Sequence, residues 1–342
     1  MLDLSCPYEN NMRIDFSGAK IQGNVIILHG IVLNLANIGG SLYIGNVDSI
    51  NDLQANQNIV YGCSAIGAKI GKDICIKGCY ILGPIDFKKS SASGLAIVNN
   101  AWSDQAELDI SSLKIGTLLD MENNWPKNGR IFFNNFVYDE IDNSSPSDAV
   151  SRIRWLHLQS TSSFLPQPYE QLAGVLRKMG REDDAIEVLI AKNDDRAQKM
   201  AGAKRMWWLL KGLVIGYGYK SYRALYISLG FILFGWFLFR WAYYLKIVCP
   251  TERNKAFPDH PHVFSDEYPP FNAFIFSLEN FVPLLNLEMG KDWALNSEVK
   301  KQLWRLNFSL RSAFRFYLFA HIIIGWVLTS LWIGSLTGLV KS

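Results

Sequence analysis

Cysteine is scarce in this chain, and the cysteines present are not arranged to pair. Cys6, Cys63, Cys75, Cys79 and Cys249 are spread over 342 residues with no Cys-x-x-Cys step and no zinc-ligand spacing. That spacing argues against a disulfide framework or a zinc module and fits reduced, buried thiols. Also missing are a Gly-x-Gly-x-x-Gly turn after a strand, a haem-attachment motif, and any nucleophile-and-base or acid-and-base constellation. The residues therefore give no support to an enzyme and imply no cofactor. His260-Pro261-His262 with Asp259 and Asp266 offers metal-type side chains, but no third ligand is fixed by spacing, so a polar loop is expected there and no metal. The first twenty residues contain Asp3, Glu9, Arg13 and Asp15 and lack an apolar run, so the N-terminal region is expected to stay in the cytoplasm.

Long apolar runs are absent from the first 200 residues and abundant after them. A mean hydropathy of +0.06 hides this division. Near-continuous runs such as Phe231 to Phe239 lie within Leu225 to Leu245, and a second apolar segment covers Phe316 to Val340. Crossing about 30 Å of hydrocarbon takes roughly 20 apolar residues, and both segments reach that length. Charge is divided in the same way. Residues 1 to 150 carry 10 basic and 16 acidic side chains, whereas Lys192 to Arg223 holds eight Lys or Arg against Asp194 and Asp195. A basic flank beside the first span is expected on the cytoplasmic side of the membrane.

The N-terminal region repeats itself. Ala19-Lys20-Ile21 to Ile27 aligns with Ala36-Asn37-Ile38 to Ile44, with Ala68-Lys69-Ile70 to Ile76, with Cys79-Tyr80-Ile81 to Phe87, and more weakly with Leu113-Lys114-Ile115 to Met121. Each copy has an isoleucine, a glycine within two positions, and an apolar-x-apolar step. Very short strands turning a corner, with apolar residues stacked inward, satisfy that pattern. Tandem copies are expected because one coil cannot bury its apolar face alone. The predicted fold is thus a multi-domain membrane protein with an N-terminal right-handed β-solenoid-like domain over residues 1–140. A linker over 141–165 follows, then a helical hairpin and an interfacial helix over 166–222, and an α-helical two-span domain over 223–342. Pro168 and the stripe Leu172, Val175, Leu176 and Met179 predict the first helix of the hairpin, and Glu182 to Met200 the second. Met206-Trp207-Trp208-Leu209-Leu210-Lys211, too short to cross, predicts the interfacial helix. Val214-Ile215-Gly216-Tyr217-Gly218-Tyr219 looks like a potassium filter, but with no membrane helix before it a glycine-rich turn is expected.

Between the spans, Pro269 to Gly290 is apolar but too short to cross. Phe271 to Phe281 as a helix covers about 16 Å, half the bilayer, and Pro283 then forces the backbone out of the helix. Irregular backbone at membrane depth needs protein around it or a water-filled cavity beside it. If this is a re-entrant pore loop, Asn286 and Glu288 are the groups expected to face ions, with Leu285 and Glu279 beside them. A helix lying on the membrane surface is the competing expectation. Lys291, Lys300, Lys301, Arg305, Arg311 and Arg315 favour it, because six cations outside run against the positive-inside trend. Arg240 and His321 are ionisable groups within the spans.

In the soluble region Lys69, Lys72, Lys77, Lys88 and Lys89 cluster within two or three coils. Multiplied by the symmetry of an oligomer they would attract phosphates; a solvated coil face is the alternative, and the acidic balance of the region favours it.

Several resemblances add to these readings. The order of span, half-membrane helix, irregular return and span resembles that of pore-loop channel subunits, and Phe271, Ala273, Phe276, Ser277 and Leu278 are similar to a pore helix. This implies a homo-oligomer, a tetramer. Where potassium channels have Thr-Val-Gly-Tyr-Gly, this chain has Leu284-Leu285-Asn286-Leu287-Glu288, so potassium selectivity is not implied. As a whole the chain resembles a widespread set of bacterial β-solenoid membrane proteins, some labelled oxidoreductases. The shared marks are the repeats, Phe164-Leu165-Pro166-Gln167-Pro168-Tyr169-Glu170-Gln171-Leu172-Ala173, Gly216-Tyr217-Gly218-Tyr219 and Thr337-Gly338-Leu339-Val340-Lys341. A soluble sensor joined to a small channel also resembles the Hailong type of anti-phage membrane effector. That resemblance implies a short DNA oligomer or nucleotide signal, made by a partner nucleotidyltransferase, as the ligand that controls opening. The leading expectation is a ligand-gated pore-loop channel embedded in membrane lipid. The alternative is a non-conducting membrane-anchored scaffold whose solenoid binds a protein.

Overall fold

The structure, a computed structural model, describes residues 2–3, 14–27, 30–45, 59–127, 129–159, 164–251, 256–257, 260–264, 268–295 and 310–337. The chain divides into two compact units, Met1–Lys199 and Met200–Ser342.

The first unit begins with short strands joined by tight corners. At several corners an aspartate two residues back accepts the next free backbone N–H: Asp15 from Ser17 at 2.8 Å, Asp86 from Lys88 at 3.0 Å and Asp109 from Ser111 at 3.0 Å. The following residue is then left-handed, as at Gly18, Lys89 and Ser112, and Leu35, Gly67 and Asn135 occupy the same place in their turns. Such self-bonding carboxylates are a local reason for the chain to turn there. The corners bond to one another along the stack, with Leu35 N donating to Ile66 O, Gly67 N to Lys88 O and Lys89 N to Ser111 O.

Between corners the strands form four stacks. One is a seven-stranded sheet running from Leu2–Asp3 to Val137–Ile141, another a six-stranded sheet from Ile14–Asp15 to Ile131–Phe132, and two have three strands each. Every described pairing within them is parallel. The register places like side chains over like. Val25, Leu42, Ile74, Leu95, Leu118 and Ile141 form one buried ladder, and Ile31, Cys63, Ile85, Leu108 and Ile131 another. Each fully buried aliphatic side chain contributes about 1.5–3 kcal/mol. Cys63 is one rung of a ladder, and burial pushes its thiol up to about 12, so it stays protonated and serves as packing.

The last strand, Val137–Ile141, is covered rather than left open. The residues read as a linker contain a helix, α1 (Ala149–His157), whose N-cap Asp148 accepts from Ser151 N at 2.9 Å. The flanking Ser, Asn and Pro residues hide it in the sequence; what orders it is Trp155, against Phe133 at 4.3 Å and Tyr138 at 6.3 Å. Beneath it the buried Arg152 meets Asp120 through two bonds of 2.7 and 2.8 Å. Helices α2 (Gln167–Lys178) and α3 (Glu182–Gln198) complete the cover. Here the Pro-Gln-Pro-Tyr-Glu-Gln stretch shows its physical role. Gln167 and Gln171 donate to the Phe136 and Tyr138 carbonyls at 3.1 and 2.6 Å, Tyr169 donates to Asp195 at 2.6 Å, and Glu170 accepts from Lys192 at 2.6 Å. Each polar residue of the motif fastens α2 either to the last strand or to α3.

Asp195 also meets His157 at 2.8 Å. The bond to Asp195 holds His157 above its ordinary 6.5. Burial pushes Asp195 up, but the bonds from His157 and Tyr169 outweigh it, and the net displacement is below 3.8. The carboxylate therefore stabilises the fold above pH 3.8, an effect lost as pH falls through its lowered value. The imidazolium does so fully below pH 6.5, and that contribution is lost as pH rises through the raised value. Thermal unfolding of the full chain across pH is expected to show this loss on the neutral side, and Asp195→Asn should flatten that limb. An unchanged limb in Asp195→Asn would remove the pair from the stability of the fold.

The second unit opens with α4 (Gly202–Ile215), which ends at left-handed Gly216. The chain then reverses through Tyr217 and Gly218, both also left-handed, into α5 (Tyr222–Tyr244). The filter-like sequence is thus a turn, with Tyr217 buried against Trp208 at 5.9 Å and the Gly218 carbonyl accepting from Ser335 at 3.2 Å. Ser335 lies on α8 (Leu310–Leu336), and the short helices α6 (Ala273–Phe281) and α7 (Met289–Asp292) precede it in the chain. Tyr222–Tyr244 and Ser312–Leu336 are long and apolar enough to cross a membrane. A core helix of a soluble protein would be mostly buried; only 22% of each apolar window is. Large side chains such as Leu225, Tyr226, Phe234, Phe237, Phe316 and Phe319 face outward.

Candidate functional site

Between α5 and α8 sits the short helix α6 (Ala273–Phe281). Asn272 starts it, its side-chain oxygen accepting from Phe274 N at 3.0 Å and Ile275 N at 3.2 Å. The helix joins two separate apolar clusters. Phe276 belongs to the one that contains Phe239, Ala242, Ile247 and Val248 from the end of α5 and the residues after it. Phe281 belongs to the one that contains Ala224 and Ile232 from the first half of α5, with Leu328 and Leu331 of α8. Five residues after Leu284, the chain is back in the first cluster through Met289 and then Trp293. Trp293–Leu295 pairs antiparallel with Val248–Pro250, fixing the return beside the end of α5.

A buried polar node holds α6 at its midpoint. Ser277 Oγ donates to the Ile232 carbonyl at 2.8 Å, and His321 Nε2 lies 3.0 Å from the Ser277 carbonyl. Nε2 therefore carries a proton, because a carbonyl only accepts, and Nδ1 lies within hydrogen-bond distance of the Tyr317 hydroxyl at 3.2 Å. Ser277 and His321 are both almost wholly buried. His321 thus acts in this fold as a cross-strut between α6 and α8, with both nitrogens engaged. Two glycines permit the approach: a Cβ on Gly235 would strike Ser277 Oγ, and one on Gly325 would strike the Phe281 carbonyl.

Pro283 follows the helix end, and residues 284–288 are exposed, Leu284 at 77% and Leu285 at 39%. Asn286 and Glu288 lie together here, Asn286 Oδ1 accepting from Glu288 N at 3.2 Å, with Glu288 in the left-handed region. Glu279 sits apart from them. Its carboxylate accepts from Gly290 N at 3.1 Å and clips the returning chain to α6. Of the four residues singled out in the sequence, three share the exposed loop and Glu279 staples its base. Lys300, Lys301 and Arg305 lie outside the described residues, as do Asp259 and Asp266. Among the described residues no cluster of metal-type side chains occurs.

The lysines of the first unit are divided by the register. Lys69 and Lys72 border one three-stranded sheet, and Lys89 stands at the neighbouring corner. Lys77 lies at the far end of the strand Asp73–Lys77. Lys88 is held between Asp86 and Asp109 at 3.0 Å each, and these two bonds hold its ammonium above its ordinary value. The register brings out a different alignment. Lys20 pairs with Asn37, Asn37 with Lys69, Lys69 with Ser91, and Ser91 with Lys114. Three exposed lysines therefore stand in one column, two strands apart, or about 9.6 Å at a strand spacing of about 4.8 Å. Lys20 and Lys114 were findable: each follows a left-handed corner by two positions, as Lys69 does.

No protein-family model, curated protein or solved structure matches the chain.

Proposed function

We propose that the protein is a ligand-gated, oligomeric pore-loop ion channel, a membrane effector in anti-phage defence, with α5 and α8 spanning the bacterial inner membrane. The observation that carries this reading is α6 wedged between the two apolar helices, with the chain returning to the cluster from which it set out. On this reading α6 is re-entrant. Its nine residues reach about 13 Å, under half of the hydrocarbon thickness, and the seven residues 282–288 can span about 20 Å on the way back. The burial of Ser277 against Ile232 in the middle of α5 supports this reading over a surface-lying helix. The exposed leucines of the loop, costly in water, gain a covering when subunits meet, which supports a homo-oligomer; four-fold symmetry follows the pore-loop resemblance. Asn286 and Glu288 then face the ion path. The basic α4, with Trp207 and Leu213 exposed and Lys211 over two tryptophan rings, fits a cytoplasmic membrane surface. The parallel coils form a right-handed β-solenoid, a cytoplasmic sensor, and the ligand is a short DNA oligomer or nucleotide signal from a partner nucleotidyltransferase.

Purified full-length protein in liposomes is expected to pass current when short DNA oligomers are added. Asn286→Asp should raise cation preference several-fold, and Glu288→Gln should lower it. Absence of current under every ligand, together with a monomer in mild detergent, would sink the reading. Lys88 closed by two aspartates and the acidic balance of the coils support a second reading, a membrane-anchored scaffold for a protein partner. A scaffold tolerates both substitutions.

A further inference from the structure

Arg240 is an exposed cation on α5, four residues before the helix ends at Tyr244. It borders two grooves. One, of about 580 Å³, is lined by Leu233, Trp236, Phe271 and Phe274; the other, of about 400 Å³, by Phe237, Trp241 and Tyr244. Among the described residues no carboxylate pairs with it. Its polar contact is the Tyr244 hydroxyl, accepting from Nη2 at 3.2 Å, with the Tyr244 ring 5.6 Å from the guanidinium. Trp236 and Phe274 meet edge to face at 6.4 Å and make a rigid apolar wall beside it.

A guanidinium on a membrane-crossing helix, with no carboxylate partner among the described residues, is costly unless an anion comes to it. Its depth points to the source. Four residues of helix are about 6 Å, which sets Arg240 just inside the helix end, at the level of lipid phosphates, on the side of the membrane opposite α4. A planar fork of N–H donors matches two phosphate oxygens, and the aliphatic and aromatic groove beneath suits an acyl chain. We propose that Arg240 and the two grooves form a binding site for one anionic phospholipid, its phosphate on the guanidinium and a chain lying along Leu233, Trp236 and Phe274. The site rests on the reading of α5 as a membrane span.

The test uses the full chain reconstituted in phosphatidylcholine vesicles doped with phosphatidylglycerol, re-extracted in mild detergent, with retained lipids counted by native mass spectrometry. Wild type is expected to retain phosphatidylglycerol over phosphatidylcholine by about fivefold, the weight of one cation near an anionic lipid surface. Arg240→Gln should abolish that preference, and Arg240→Lys should keep part of it. Excess inorganic phosphate should leave retention unchanged; displacement by phosphate would mark a free-anion site and overturn the lipid. Undiminished preference in Arg240→Gln would also overturn it. So would loss of the oligomer in Arg240→Gln with lipid retention intact, which would make Arg240 a subunit contact. Alkaline carbonate extraction separates the two levels. Wild type and variant should both stay with the membrane, and release of wild type would count against the span itself.

Discussion

Arg152→Ala is expected to destabilise the chain by about 3–5 kcal/mol, because it leaves the Asp120 carboxylate buried without its cation. Asp120 is almost wholly shielded from solvent; its other side-chain bond is from the Trp125 indole at 2.8 Å, too little to hold a bare charge. The pair is not a pure gain even when intact. Arg152 Nε has no partner among the described residues, and the Tyr138 hydroxyl beside it is unpaired too. Replacing both members, as Asp120→Asn with Arg152→Met, should therefore cost several kcal/mol less than the sum of the single changes. Pulse proteolysis of the full chain in urea reads both quantities. A loss below about 1 kcal/mol in Arg152→Ala would mean that water reaches the pair and that the cover over the last strand is loose.

Gly325→Val is expected to displace α6. The new Cβ meets the Phe281 carbonyl and, at 3.0 Å, the Phe281 Cα, both of them backbone that cannot swing aside. Overpacking of this kind costs about 1–3 kcal/mol, and at about 1.4 kcal/mol per tenfold the exposed population rises about 5- to 140-fold. A cysteine at Ser277, in a background lacking the native cysteines, reports it as a matching rise in thiol labelling rate. Gly230→Ala is the control, since nothing lies within 4 Å of a Cβ there. Equal labelling in Gly325→Val and the control would show that α6 is not held against α8.

Much of this was legible in the residues. Apolar runs located both candidate spans, although α5 starts three residues earlier than Leu225 and α8 begins at Leu310, because a helix does not stop where charge begins: Arg223 and Arg315 are helical too. The repeat alignment found the column of Ile21, Ile38 and Ile70, which do pair in register. It placed Cys79 to Phe87 in that column, whereas Tyr80 pairs with Ile59 and Ala101 on another sheet. In that turn Ser91 pairs with Lys69 and Lys114, so the small Ala92 follows where the other turns have isoleucine, and it carries little apolar signal. Helix α1 was hidden for a similar reason: nine residues between turn-forming runs read as linker until Arg152 and Trp155 find their partners far away in sequence. His321 stood out as an ionisable group in a span, but nothing in its neighbourhood pointed to Ser277, 44 residues away.

The corners of the N-terminal unit carry one more implication. Among the described residues the corners at Gly18, Leu35, Gly67, Lys89, Ser112 and Asn135 are left-handed, several carry an aspartate brace, and successive corners bond to one another along the stack. A whole turn can thus be duplicated or deleted without recutting its neighbours, so evolution can lengthen this region like a ruler, in steps of about 4.8 Å, while the cover over its last strand stays unchanged.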